Sequence, residues 1–378
     1  MKKSEKRKPL LRKLLYVTLC AGVGVMVGWA AGKAAGPDRF KSPGAFLMSF
    51  GLFLLSFGAA VLIQIVLHEG GHLLFGLATG YRFQSFRVGS RMLLRTPDGL
   101  RWQKFSLPGT GGQCLMDPPD AEDGESPWFF YHMGGVLMNL ISALFFWWLR
   151  LALPEIPFLT QLLTSLSWVG VGFAVLNGVP LHAGPIDNDG FNAWTLWKKP
   201  RVRRDFWVQL EVQRRIALGQ RLRDMPDALF ELPEPGDMDN ALTTAVAVLA
   251  ANRLSDLHRL DEACNTVRWL LEGGFQLAGI HRSLLRCELI CREVTGENRP
   301  AVLNHLLDRE QRQFMNAMKD FPTVLRTEYL VALLHENDAP KADAIRTRLE
   351  QLGASYPYPQ DIQSERELMD PALWRAEP

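Results

Sequence analysis

The feature that most constrains this chain is a set of long apolar segments in its first half. They fall at about residues 14–35, 45–77, 133–153 and 158–179. Each reaches or exceeds the roughly 20 residues a helix needs to cross the hydrocarbon core of a bilayer. In lipid every backbone polar group must be satisfied internally, so a span is a helix or part of a closed barrel. These runs lack strand alternation, which leaves helices. The expected fold is therefore an α-helical polytopic membrane protein with about four spans. Phe145, Phe146, Trp147 and Trp148 sit toward one end of the third segment, where aromatic rings suit the membrane–water interface.

Charge placement supports this reading more than total charge does. The formal net charge is only +2, which gives no reason to expect a nucleic-acid partner. The first fifteen residues, however, hold Lys2, Lys3, Lys6, Arg7, Lys8, Arg12 and Lys13 against Glu5 alone, and a second cluster, Lys198, Lys199, Arg201, Arg203 and Arg204, follows the last apolar run. With the first segment retained as a span rather than cleaved as a signal peptide, four crossings place both clusters on the cytoplasmic side, as the positive-inside rule requires. Both termini are then expected in the cytoplasm.

Three regions follow: a basic N-terminus with the first span (1–44), a membrane core (45–195) and a soluble helical region (196–378). Within the core, residues 81–131 alternate polar and apolar side chains in FQSFRVGSRMLLRT and RWQKFSL, the period of short β-strands. A small membrane-associated β element is expected there. The last region carries apolar residues at helical spacing in ALTTAVAVLAANRL, RLDEACNTVRWLLEGG and HRSLLRCELICREV. It is expected to be all-α. Its helix pairs faintly resemble tetratricopeptide repeats, although the Trp, Gly and Tyr landmarks are missing. Cys20, Cys114, Cys264, Cys287 and Cys291 show no paired spacing, so they read as free thiols.

The sharpest chemical signal is His68-Glu69-Gly70-Gly71-His72. On a helix, His68 and His72 are four apart and share a face, so both imidazoles can bind one metal. Imidazole nitrogens suit zinc, and Glu69 is placed to take a proton from a zinc-bound water. Ionisable groups within an apolar span are costly and usually functional. A catalytic zinc site needs a third protein ligand, with the fourth position open. The stretch NGVPLHAGPIDNDGFN, residues 177–192, offers Asp187 and Asp189 immediately after the fourth span. Broken backbone there is tolerated where it lines protein or a wet cavity. The residues alone leave either aspartate open as the third ligand, and His182 reads as a neighbour.

Three motifs in order, HEGGH, Gly134-Gly135-Val136-Leu137-Met138-Asn139, and Asn177-Gly178-Val179-Pro180 with Asp189-Gly190, resemble those of the site-2 protease family of intramembrane zinc metalloproteases. The resemblance spans about residues 45–195. It implies Zn2+ as cofactor, His68, His72 and Asp189 as its ligands, Glu69 as general base, and Asn139 and Asn177 near the substrate or the developing oxyanion. The stretch between Pro180 and Asp189 is longer than in the commonest family version, so Asp187 stays as the alternative third ligand. The implied activity is hydrolysis of peptide bonds in membrane-embedded or membrane-adjacent proteins or peptides. The lipid bilayer, a membrane protein substrate and a protein partner of the helical region are the expected partners. Compactness and resemblance together point to a multi-pass protein of a bacterial cell membrane. The competing expectation is a catalytically silent membrane-anchored adaptor that uses the helical region to bind protein; an intact Glu69 weighs against it.

Overall fold

The structure is a computed structural model that describes residues 7–34, 41–106, 110–120, 126–181 and 187–375. His182 lies outside these described residues. The chain divides into two compact units. The first runs through Phe83 and takes in Gly111–Cys114 and Pro127–Lys199. The second holds Gln84–Thr110, Leu115–Ser126 and the chain from Pro200 onward.

The first unit is built on helices α1 (Arg7–Ala34), α2 (Pro43–Ala78), α3 (Trp128–Ala152), α4 (Pro157–Gly178) and the shorter α5 (Asp189–Lys198). Among the described residues, α2, α3 and α4 are long and apolar enough to cross a membrane, and α1 carries an apolar stretch over Val17–Ala30. The protein is thus an integral membrane protein with three candidate spans. The fourth expected span rests on α1.

The distribution of side chains on α2 explains its environment. Proline at its first turn and the Ser42 hydroxyl, which accepts from Ala45 N at 3.1 Å, start the helix. Its buried face reads Ser56, Ala60, Gln64, His68, His72 and Gly76, a stripe at four-residue spacing. Its exposed face carries Phe46, Leu47, Leu54, Leu55, Leu62, Val66 and Leu74. Large apolar groups outside and polar groups inside is the arrangement a lipid surround stabilises. Helix α3 likewise exposes Leu140, Ile141, Leu144, Phe145, Trp147, Trp148 and Leu151. The inward polar groups find partners: Ser56 Oγ lies 3.3 Å from Ser165 Oγ, and Gln64 Nε2 donates to Leu166 O at 2.8 Å. Such inter-helix bonds hold spans together where apolar contact with lipid and with protein is nearly equivalent.

Helices α2 and α3 cross at glycine. A β-carbon on Gly71 would collide with the Gly134 carbonyl, and one on Gly134 would lie 2.7 Å from Gly71 O. The two backbones touch there, which brings HEGGH against the start of α3.

Between α2 and α3 the chain forms an antiparallel sheet of β1 (Arg82–Val88), β2 (Arg91–Thr96), β3 (Gly99–Lys104) and β4 (Gly112–Asp117), in spatial order β3-β2-β1-β4. The register pairs Phe86 with Leu93 and Leu93 with Trp102. This is the small β element that the alternation predicts.

The second unit is all-α apart from its share of the sheet. It contains α6 (Val202–Ala217), α7 (Ala241–Asp256), α8 (Leu260–Glu272), α9 (Gly279–Thr295), α10 (Pro300–Leu306), α11 (Arg309–Ala317), α12 (Pro322–Leu330), α13 (Ala339–Gly353) and α14 (Pro359–Leu368). Three helix exits use a left-handed non-glycine residue, His258, Asn298 and Asn337, with bonds such as Asn298 N to Glu293 O at 2.8 Å closing the turn. Helices α7 to α12 run 16, 13, 17, 7, 9 and 9 residues. Helices so unequal give no support to an even tetratricopeptide period. Cys264, Cys287 and Cys291 are free thiols in the core beside Leu303 and Val324, and burial pushes Cys291 up to about 11. On the sheet, Met92 and Leu94 are buried in a cluster with Leu325, Ile345 and Leu349.

Candidate metal centre

His68 and His72 sit on consecutive turns of α2 and face the interior; both, and Glu69 between them, are buried. Their ring orientations are set from behind. His68 Nδ1 lies 2.6 Å from Asn139 Oδ1, and His72 Nδ1 lies 2.7 Å from the carbonyl of Tyr131. Both partners accept hydrogen bonds, so each Nδ1 carries the proton and each Nε2 presents a lone pair. A histidine that donates its second N–H in this way is the usual support of a metal ligand. Asn139 is itself held: its Nδ2 donates to Gln64 O at 3.1 Å and to Gln64 Oε1 at 2.8 Å, and Ser142 Oγ donates to the same Oε1.

The third group comes from the far side of the unit. Asn188 caps α5, its Oδ1 accepting from Phe191 N at 2.9 Å and from Leu181 N at 3.2 Å. Its Nδ2 donates to Leu176 O and Val179 O, both at 2.7 Å. One asparagine thus ties the end of α4 to the start of α5 and places Asp189 in the first helical turn. Gly190 permits the close approach, since a β-carbon there would collide with the Gly178 carbonyl.

The three ligand atoms form a small triangle. His68 Nε2 and His72 Nε2 are 3.2 Å apart, and Asp189 Oδ2 lies 3.1 Å from the first and 3.5 Å from the second. Tetrahedral zinc ligands at ~2.0–2.1 Å stand about 3.4 Å from one another, so the triangle has the size of one face of such a tetrahedron. Two imidazole lone pairs and a carboxylate converging this closely repel one another unless a cation sits among them. The donor set, two nitrogens and one carboxylate oxygen, is one that zinc accepts. Among the described residues, His68, His72 and Asp189 are the group able to hold a metal. Asp187 is outside that triad.

Space for this arrangement is built in. A β-carbon on Gly135 would lie 2.6 Å from both His68 Cε1 and His72 Nε2, and one on Gly112 would lie 2.6 Å from Glu69 Cγ and Oε1. Strand β4 therefore runs directly past Glu69. Cys114, two residues on, is pushed up to about 12 by burial and by Glu69; it stays a thiol at neutral pH, and a thiol is a poor metal ligand.

Of the two asparagines expected near substrate, Asn139 is bonded to His68, and Asn177 Nδ2 donates to Phe173 O at 3.0 Å on its own helix. Sequence reading missed three contributors. Gln64 had a visible signal, an amide inside an apolar run one turn before His68. Asn188 had one too, an asparagine at a helix start. The Tyr131 carbonyl had none, because a backbone atom carries no mark in sequence.

Comparison with curated proteins and with solved structures finds no significant match to either. Residues 56–231 match the model of Peptidase family M50, a range that begins within α2 before HEGGH and extends beyond α5 through α6. That family is the site-2 protease family of membrane metalloproteases, and the match covers all three sequence motifs and the triad of His68, His72 and Asp189.

Proposed function

We propose that this protein is an intramembrane zinc endopeptidase that cleaves membrane-embedded or membrane-adjacent proteins, with His68, His72 and Asp189 on the metal and Glu69 as general base. The observation that carries this reading is the triangle of Nε2, Nε2 and Oδ2 atoms at 3.1–3.5 Å, with Glu69 on the same helix between the two histidines. A zinc ion bound there would supply Lewis-acid chemistry, acidifying water and polarising a carbonyl.

The chain's own residues do the rest. Glu69 takes a proton from the attacking water and returns it to the leaving amine. Its burial within a span keeps the surrounding dielectric low, which strengthens each charge interaction. Asn139 and the Tyr131 carbonyl hold the two imidazoles in the tautomer that presents Nε2. Asn188 keeps Asp189 at the triangle. A helical substrate hides its scissile carbonyl in backbone bonds, so it must present an extended segment. Strand β4 ends the sheet order among the described residues and passes Glu69 at Gly112, and strand addition to a sheet is one general way of holding an extended segment.

The experiment is paired: zinc content and cleavage of a transmembrane peptide, for wild type and Glu69→Gln in detergent. Wild type is expected to hold about one zinc and cleave, and the variant to keep zinc while losing at least ~100-fold in rate. Zinc-free wild type, or a variant that cleaves normally, would overturn the assignment.

A further inference from the structure

The helical unit contains a cavity of about 190 Å3 bordered by α6, α7, α9, α12 and α14. Its lining is charged to a degree unusual for an interior. Four carboxylates, Asp256, Glu288, Asp361 and Glu365, face two guanidinium groups, Arg221 and Arg326. Four negative against two positive leaves an excess of two negative charges when all are ionised, and Arg221 is already shared with Glu367 outside the lining, at 2.6 Å.

The existing pairs do not use up the polar atoms. Arg326 is fully buried, ion-paired to Glu288 and, at 3.1 Å, to Glu365. Yet Glu288, only 7% exposed, has its Oε2 buried without a hydrogen-bond partner, and Arg326 Nη1 is in the same position. Burying such atoms unsatisfied is costly, more so when they are charged, so a folded cavity with both points to a ligand that supplies a donor and an acceptor. Asp361 reports the same deficit: burial, then Glu365 and Asp256, push its carboxyl up to about 7. The remaining wall mixes apolar Leu222, Leu249, Leu284 and Phe321 with polar groups such as Asn252 and Gln360.

We propose that this cavity binds a small basic amino acid, its ammonium groups meeting Glu288, Asp361 and Glu365 and its carboxylate meeting Arg326 Nη1. Such a ligand carries one net positive charge, which reduces the excess, and an aliphatic chain that matches the apolar part of the wall. It also carries both missing partners in one molecule. This inference is independent of the metal centre and of proteolysis.

The test is isothermal titration of the full chain in detergent at pH 7 with ornithine, norvaline and putrescine. Norvaline lacks the side-chain ammonium and putrescine lacks the carboxylate. Ornithine is expected to bind, and each truncated analogue to bind at least ~10-fold more weakly. Binding should also release protons from Asp361, because a nearby cation lowers a carboxylate pKa; repeating the titration in buffers of different ionisation heat reads that release. Asp361→Asn, an isosteric change at a group already half protonated near pH 7, should keep the helical circular dichroism and melting profile and weaken ornithine by at least ~10-fold. Absence of ornithine binding, equal binding of all three compounds, or unchanged affinity in the folded Asp361→Asn protein would each overturn the proposal.

Discussion

At the scale of single residues, the most informative side chain is Asn139. Its Oδ1 accepts a hydrogen bond from His68 Nδ1 while its Nδ2 is spent on Gln64. Under the proposed zinc chemistry, a residue so committed would act on the metal through the ligand it orients. Replacing Asn139 with Leu removes the acceptor and leaves Gln64 Oε1 short of a donor. The expected loss is about 10–100-fold in zinc affinity, read by competition with a chromophoric chelator, with Asn139→Asp retaining most of it because a carboxylate still accepts from Nδ1. If Asn139 instead served only the substrate, the Leu variant would bind zinc normally and fail only in turnover. The two histidines and Glu69 were legible from spacing alone, because a helix converts i and i+4 into one face. Which aspartate approaches the histidines was not, since it depends on the capping of α5 by Asn188, on carbonyls at the end of α4 and on one glycine contact.

At the scale of elements, the crossing of α2 and α3 does most to form the site. Apolar content foretold both helices, and the glycines of HEGGH and of Gly134-Gly135 were visible as motifs. Their steric meaning was not, because a close approach is a property of two elements. Gly134→Ala would place a methyl group against Gly71 O and His72 Cα, at 2.7 and 3.1 Å. Neither atom can move without shifting the helix. We expect a destabilisation of about 1–3 kcal/mol, seen as a lower melting temperature in detergent, accompanied by weaker zinc binding because His72 shares the displaced turn. Gly70→Ala is the matched control: nothing lies within 4 Å of a β-carbon there, so it should be near neutral. The β element was readable from period-two alternation, but its strand order, and hence the placement of β4 beside Glu69, was not.

At the scale of the whole molecule, metal binding and folding should be coupled in the membrane unit, since the proposed ligands come from α2 and α5 and converge only when the unit is packed. A ligand that binds only the folded state adds RT ln(1 + [L]/Kd), about 4 kcal/mol at a thousandfold excess over Kd. Chelation is therefore expected to lower the melting temperature of wild type and added zinc to restore it, whereas His68→Ala with His72→Ala should respond to neither. A wild-type transition indifferent to chelator and to zinc would show that folding does not depend on the ion. The membrane-spanning helices, the β element and the two-histidine motif were all readable along the chain, because each follows from periodicity within one segment, where neighbours along the chain are neighbours in space. The remaining features emerge from packing: the inward polar stripe from Ser56 to His72, the Asn139–Gln64 support, the approach of Asp189 to the histidines and the charged cavity among the later helices. Each of these joins residues far apart in the chain, and their distance is set by backbone packing that no local pattern encodes.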